Sequence, residues 1–129
     1  MNKILTLIIP IYNTQEYLKK CLDSLIIQES LLPLLEILLI IDGSPDNAIS
    51  IAKEYEANYP ETFVVINKDN GGYGSVLKRG IQEAKGKYMA FLDSDDLWKS
   101  NKLEAQIKFM KKNNYNFVCS SYEQIDEQG

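Results

Sequence analysis

Residues Ile4 to Ile9 form an almost unbroken run of Ile and Leu with Thr6 as its single polar break. That is the pattern of a strand buried on both faces of a parallel sheet. Pro10 lacks a backbone donor and is expected to end the ladder, leaving Ile11, Tyr12, Asn13 and Thr14 as a loop. Asn13 or Thr14 can cap the next helix, and Glu16 suits its first turn. Tyr17, Leu18, Cys21, Leu22, Leu25 and Ile26 then recur at helical spacing, with Lys19, Lys20 and Asp23 outside.

The same alternation continues. Leu31 to Ile41 is the most apolar stretch and reads as a buried strand, Glu36 to Ile41, with its lead-in. Asp42-Gly43-Ser44-Pro45-Asp46-Asn47 is turn chemistry followed by a helix start, and Ile49, Ala52, Lys53 and Tyr55 to Tyr59 carry that helix to Pro60. Phe63 to Ile66 predicts a third strand and Asn67 to Gly72 a loop. A helix over Tyr73 to Lys85 takes Val76, Leu77, Ile81 and Ala84 as its apolar stripe, with Gly86 beyond its end. Tyr88 to Leu92 is the next strand. A helix over Asn101 to Lys112 turns Leu103, Ile107 and Met110 to one face, and Phe117 to Cys119 is a last short strand before a polar tail. Strands alternating with helices imply βαβ units and a parallel sheet with right-handed crossovers.

Composition narrows the class. The 129 residues suit one domain with one core, and 45% hydrophobic with 25% charged content is ordinary for a globular chain. A formal net charge of −4 argues against a nucleic-acid partner. Cys21 and Cys119 make no metal or redox spacing and are expected to be reduced and buried, as in a cytoplasmic protein. The chain has no histidine, which excludes Ser-His and Cys-His catalysis and imidazole metal ligands. No signal peptide is evident and no stretch is long enough to span a bilayer.

The chemistry concentrates where the strands end. In open α/β sheets the ligand crevice lies beyond the carboxyl ends of the strands. Tyr12 and Asn13, then Asp42 and Ser44, then Asp93, Asp95 and Asp96 all follow predicted strands. Three carboxylates within four positions repel one another unless a cation relieves them, and hard cations such as Mg²⁺ or Mn²⁺ prefer oxygen ligands. The competing reading of the acidic loop is a helix start capped by Asp95 or Asp96. Asn70-Gly71-Gly72-Tyr73-Gly74-Ser75 precedes a helix, so its N–H groups can approach an anion, or it is a flexible turn. A Gly-x-Gly-x-x-Gly dinucleotide loop and a Walker-type lysine are both missing. A phosphoryl-receiver domain, of similar length, needs acidic residues where this chain has Pro10-Ile11-Tyr12-Asn13.

Ile8-Ile9-Pro10-Ile11-Tyr12-Asn13, Leu22-Asp23-Ser24-Leu25 with Gln28, Asp42 to Asn47, Asn70-Gly71-Gly72, Ala84 to Tyr88 and Phe91 to Asp96 resemble, in order, the motifs of family 2 glycosyltransferases. The resemblance runs from Ile4 to about Met110. It implies a Rossmann-like GT-A three-layer α/β/α sandwich with a mostly parallel central sheet, forming a single domain over 1–129 that ends soon after the Asp-x-Asp region. It implies sugar transfer from a nucleotide-diphosphate sugar, a UDP-sugar first among them, to a saccharide or lipid-linked acceptor hydroxyl, with inversion and in cell-surface polysaccharide or glycan synthesis. By the same resemblance Pro10 and Tyr12 flank the base, with Asn13 and Ser44 beside them, and Asp42 hydrogen-bonds base or ribose. Gly71 and Gly72 line the donor, Asp93 faces the ribose, and Asp95 with Asp96 holds Mg²⁺ or Mn²⁺.

Three departures from the family pattern bear on function. Ile41 stands where many members carry a further acidic residue. Leu77 and Lys78 replace an Ala-Arg-Asn segment, so Lys78 or Arg79 is a candidate for the missing positive charge near phosphate. Only 33 residues follow Asp96, whereas the general base and acceptor pocket of this fold come from later segments. Glu123, Asp126 and Glu127 in the tail read as solvated surface. The expectation is therefore a donor-binding half, with the catalytic base outside it, located in the cytoplasm or peripherally at the inner membrane face of the full-length protein. The rival is a non-catalytic nucleotide- or metal-binding module. Leu31 to Leu35 reads first as core, and otherwise as covering an edge or meeting a second subunit in a homodimer.

Overall fold

The computed structural model describes residues 2–27, 31–99 and 102–113. Four strands, β1 (Leu5–Ile11), β2 (Leu35–Asp42), β3 (Phe63–Lys68) and β4 (Tyr88–Phe91), form one sheet of order β3-β2-β1-β4 with every pair parallel. The helices are α1 (Gln15–Ile26), α2 (Ala48–Asn58), α3 (Tyr73–Glu83) and α4 (Lys102–Asn113), with a 3₁₀ turn over Leu32–Leu34. The predicted strand Phe117 to Cys119, the motif residue Gln28 and the acidic tail residues lie outside the described residues.

Two cores account for the layers. Odd positions of β1 (Leu5, Leu7, Ile9, Ile11) join Leu18, Cys21, Leu22 and Leu25 of α1 with Ala48, Ala52 and Tyr55 of α2. Ile8 instead meets Leu38 and Ile40 of β2 and Val76 of α3 on the opposite face. The sandwich is thus α/β/α, with α1 and α2 on one face and α3 on the other. All eight residues of β2 are buried, as a strand covered on both sides must be. Each fully buried Leu or Ile side chain contributes about 2 kcal/mol to this stacking. The α3 stripe is narrower than its spacing predicts: Val76 is buried and Leu77 packs against the second core, but Ile81 is 51% exposed. Met89 and Phe91, in register with Thr6 and Ile8 on that same face, are also about half exposed.

Pro10 does not end β1; it pairs in register with Ile40. The carbonyls of Ile4 and Ile8 accept from Tyr88 and Leu92, so even-numbered positions of β1 turn their peptide groups toward β4. The N–H that Pro10 lacks therefore faces the side where β4 has stopped pairing, and the ladder to β2 is untouched. The cap of α1 also differs from expectation. Thr14 occupies the N-cap position without a side-chain cap bond, and Asp46 Oδ2 accepts the Gln15 N–H from the loop after β2 at 2.9 Å.

At the amino edge, a buried polar knot sets where β4 begins. Thr6 Oγ1 donates to Glu36 Oε1 and accepts from Gly86 N, both at 2.8 Å. Glu36 Oε1 also accepts from Lys85 N at 2.8 Å. Gly86 lies so close to β1 that a Cβ would fall 2.4 Å from Thr6 N and 2.6 Å from Leu5 C. Those obstacles are backbone and no rotamer relieves them. Gly86→Ala is accordingly expected to lower stability by roughly 2–3 kcal/mol in urea unfolding. Gly74→Ala, in α3 with nothing within 4 Å of the new methyl, should hold or raise it by up to about 1 kcal/mol.

Candidate functional site

The strand order places a reversal at β1: the chain runs outward through β2 and β3, then crosses back to place β4 on the other side of β1. The loops after β1 and β4 are neighbours there, at the carboxyl ends of the strands, beyond which ligands bind in open parallel sheets. Tyr12, half exposed, and exposed Asn13 follow β1, whereas Pro10 is half-buried at its end. Asn13 takes a left-handed φ of 56°, a conformation its short amide tolerates. Its N–H is received by Ser44 Oγ at 2.9 Å, and Ser44 Oγ donates to Asp46 Oδ1 at 2.5 Å. The loop after β2 thereby holds the loop after β1. Gly43 is required at the corner, because its φ is 61° and a Cβ would meet Asn70 N at 2.8 Å.

After β4, Leu92 and Trp98 turn into the main core while Asp93, Asp95 and Asp96 remain exposed. One oxygen from each of the three carboxylates lies within 4.8 Å of the others. A six-coordinate Mg²⁺ or Mn²⁺ separates opposite oxygens by about 4.2 Å, twice a metal–oxygen distance of about 2.1 Å, so a small closure of the cluster accommodates one. The electrostatics point the same way. Partial burial, then the charges of Asp95 and Asp93, raise the pKa of Asp96, the response of a carboxylate among like charges. Burial first, and the same three aspartates after it, push the Cys21 thiol up to about 12. Cys21 therefore stays protonated beneath the loop. Across the cleft, burial and the charge of Asp93 raise the pKa of the Tyr73 phenol, which places Tyr73 at the start of α3 within the field of the cluster.

Asp42, which the resemblance assigns to base or ribose, is the last residue of β2. It is only 4% exposed, and its oxygens serve the chain itself. Oδ1 accepts from Lys68 Nζ at 2.7 Å and Gly71 N at 2.9 Å, and Oδ2 accepts from Gly72 N at 3.0 Å. Its backbone carbonyl receives Asn70 Nδ2 at 2.9 Å. Lys68 Nζ donates further to Ser75 Oγ and the Asp69 carbonyl. The N–H groups of Gly71 and Gly72, read in the sequence either as donors to an anion or as part of a flexible turn, both donate to Asp42. Lys78 is not brought to the cluster either. It lies two positions from each of the buried Val76 and Gly80, which is the outer face of α3. Arg79 pairs with Glu83 at 3.1 Å.

A cavity of about 340 Å³ lies on the β2–β3 side between Ile41, Ser44, Ile49, Asn67 and Asp69, and none of the three clustered carboxylates lines it. Ile41 is 2% exposed, so the position where an acid was expected contributes an apolar wall.

The comparisons agree with this geometry. Residues 6–129 match the family model described as "Glycosyl transferase family 2". An "Uncharacterized glycosyltransferase" of Rickettsia bellii (strain RML369-C) is 38% identical over 124 residues, covering 96% of this chain and 17% of that protein. The "Putative teichuronic acid biosynthesis glycosyltransferase TuaG" of Bacillus subtilis (strain 168) is 32% identical over 126 residues, covering 98% of this chain and 49% of that one. Among solved structures, S. aureus TarS 1-349 in complex with UDP-GlcNAc superposes with a TM-score of 0.79 at 26% identity, over 86% of this chain and 32% of that one. The chain spans less than half the length of each of these proteins.

Asp42 gives the site its clearest solution test. Burial alone would raise its pKa, but the Lys68 ammonium and the two glycine N–H groups outweigh burial and hold it below the ordinary 3.8. A carboxyl whose folded pKa lies below its unfolded one stabilises the fold above the unfolded value, and that stability is lost as pH falls through the folded value. Asp42→Asn should cost roughly 2–3 kcal/mol at pH 7. Urea midpoints measured against pH should show that deficit constant down to pH 3.8 and closing below it.

Proposed function

The chain belongs to glycosyl transferase family 2, and we propose that it is the donor-binding part of a metal-dependent enzyme moving a sugar from a nucleotide-diphosphate sugar to an acceptor hydroxyl, with inversion. The observation that carries this reading is the group of Asp93, Asp95 and Asp96 oxygens within 4.8 Å, after the carboxyl end of β4; Tyr12, after the neighbouring β1, is exposed. Tyr12 offers a flat aromatic face to a base, and Pro10 and Asn13 fix the loop that carries it. Asp93 is assigned to the ribose, and Asp95 and Asp96 are assigned to Mg²⁺ or Mn²⁺. Ser44 acts through Asn13, and Asp42 through Gly71 and Gly72, as supports of the two donor loops.

A divalent cation held there would neutralise the charge that grows on the leaving nucleoside diphosphate. What the chain's own residues do is bind and orient. Tyr12 would hold the base, Asp93 the ribose, and Asp95 with Asp96 the diphosphate through the cation, which would orient the donor for attack by the acceptor hydroxyl. The general base that takes the acceptor proton is not assigned to any described residue.

A UDP-sugar is the favoured donor, in keeping with the UDP-GlcNAc bound by the structurally similar TarS. A role in cell-surface glycan synthesis follows the likeness to a teichuronic acid biosynthesis protein. No helix among the described residues is long and apolar enough to cross a membrane, and in the full-length protein we assign this part to the cytoplasmic face.

Titration calorimetry with UDP and GDP, each with and without Mn²⁺, tests the reading. Mn²⁺-dependent binding is expected, and saturating ligand should raise the melting temperature by mass action. Asp95→Asn and Asp96→Asn should each weaken Mn²⁺-dependent binding at least about tenfold. Unchanged affinity in both variants removes the metal assignment, and no binding of either nucleotide under any condition removes the donor site.

A further inference from the structure

The acidic loop leaves β4, a four-residue strand at the sheet edge among the described residues, yet it must hold three like charges in a fixed splay. Its grip comes from α1. Ser94, the middle residue of Asp93-Ser94-Asp95, is only 4% exposed and turns away from its charged neighbours. Its Oγ lies 2.5 Å from Thr14 Oγ1 across 80 residues of sequence. Cys21 Sγ reaches the Asp93 carbonyl at 3.7 Å, and Ser24 Oγ accepts the Trp98 N–H at 3.2 Å. Inside the loop, Asp96 N donates to the Asp93 carbonyl at 3.0 Å.

The behaviour of Thr14 is the informative part. A threonine at an N-cap normally accepts an N–H from the first turn of its own helix. Here it makes no such bond; Asp46 serves Gln15 N, and the Thr14 hydroxyl is left for Ser94. Thr14 also directly follows Tyr12 and Asn13. One hydroxyl pair therefore joins the loop assigned to the base to the loop assigned to the cation.

We propose that Thr14 and Ser94 are positioning residues: their hydroxyl pair pins the acidic loop to the loop after β1 and sets the spacing of the three carboxylates for a divalent cation. This rests on the donor-site reading for its cation half. Neither hydroxyl touches the cation. Each acts through the backbone of the loop, as outer-shell partners of metal ligands do.

The test compares the wild-type chain with Thr14→Val, Thr14→Ser and Ser94→Ala. Mn²⁺ affinity is read from the free-ion EPR signal, and amide hydrogen exchange is followed at Asp96. In Thr14→Val the Asp96 amide should exchange about tenfold faster and the Mn²⁺ dissociation constant should rise about tenfold. Amides of β1 and β2 should stay at wild-type rates. Thr14→Ser keeps the hydroxyl and should restore both values, which a merely space-filling role would not require. Ser94→Ala breaks the same bond from the other side and serves if Thr14→Val does not fold. Wild-type exchange at Asp96 in both Thr14→Val and Ser94→Ala overturns the pin. A wild-type chain that takes up no Mn²⁺ overturns the donor-site reading and the cation half with it, while the exchange rates still decide the pin.

Discussion

The structure depends on β1 having a different neighbour on each edge and losing one of them first. Through β2 it stays paired to Ile11, whereas on the β4 side the register ends at Ile8 with Phe91. Pro10 makes that asymmetry possible, since the peptide it leaves without a donor points to the edge that has opened. Beyond that point the chain leaving β1 carries the exposed Tyr12 and the chain leaving β4 carries the three exposed aspartates, the two loops being joined by Thr14 and Ser94. A strand buried on both faces holds few polar side chains, and those of β1 and β2 are hydrogen-bonded within the chain. The chemistry is therefore displaced into the loops, and the sheet determines how far apart they start.

Two kinds of carboxylate in this chain show how burial decides role. Asp42 is the last residue of a fully buried strand, where an unpaired charge would be costly. It is matched by Lys68, whose own side chain is 16% exposed, and by two peptide N–H groups, so its charge is spent on shaping the glycine loop. Asp93, Asp95 and Asp96 lie past the strand end, exposed and mutually repelling, with their ligand capacity still facing outward. The same residue type serves as a support in one place and as a candidate ligand in the other. The difference arises from position: Asp42 is the last residue inside its strand, whereas the three aspartates follow the end of β4 at Phe91.

Much of this was legible in the sequence. Apolar runs broken by turn residues, rich in Ile and Leu for β1 and β2 and in aromatic and other apolar residues for β3 and β4, locate all four described strands, and the spacing of motifs after them identifies the family and the acidic loop. What the pattern misses is contact made at long sequence separation. Asp42 reads as a site residue because it precedes Gly-Ser, and nothing local reveals that Lys68, 26 positions later, will be in register beside it. Lys78 reads as a phosphate ligand because of where it stands in a motif. Helical phase, fixed by Val76 and Gly80 against the sheet, turns it outward. Asp46 capping α1 from another loop is equally invisible, since a cap search looks only at residues next to the helix.

The same limitation explains why the middle residue of the acidic triplet is easily passed over. In Asp93-Ser94-Asp95 the sequence draws attention to charges, and a serine between them looks like a spacer. Asp93 to Asp96 is a tight turn, closed by the Asp96 N–H on the Asp93 carbonyl at 3.0 Å, and that turn leaves the three carboxylates exposed while Ser94 is 4% exposed. A hydroxyl buried there would be penalised if it were unpaired. A small side chain with a hydrogen-bonding oxygen is therefore what the position needs, and α1 supplies the partner. The outward chemistry of the loop and its inward anchoring thus meet in a single turn, Asp93 to Asp96.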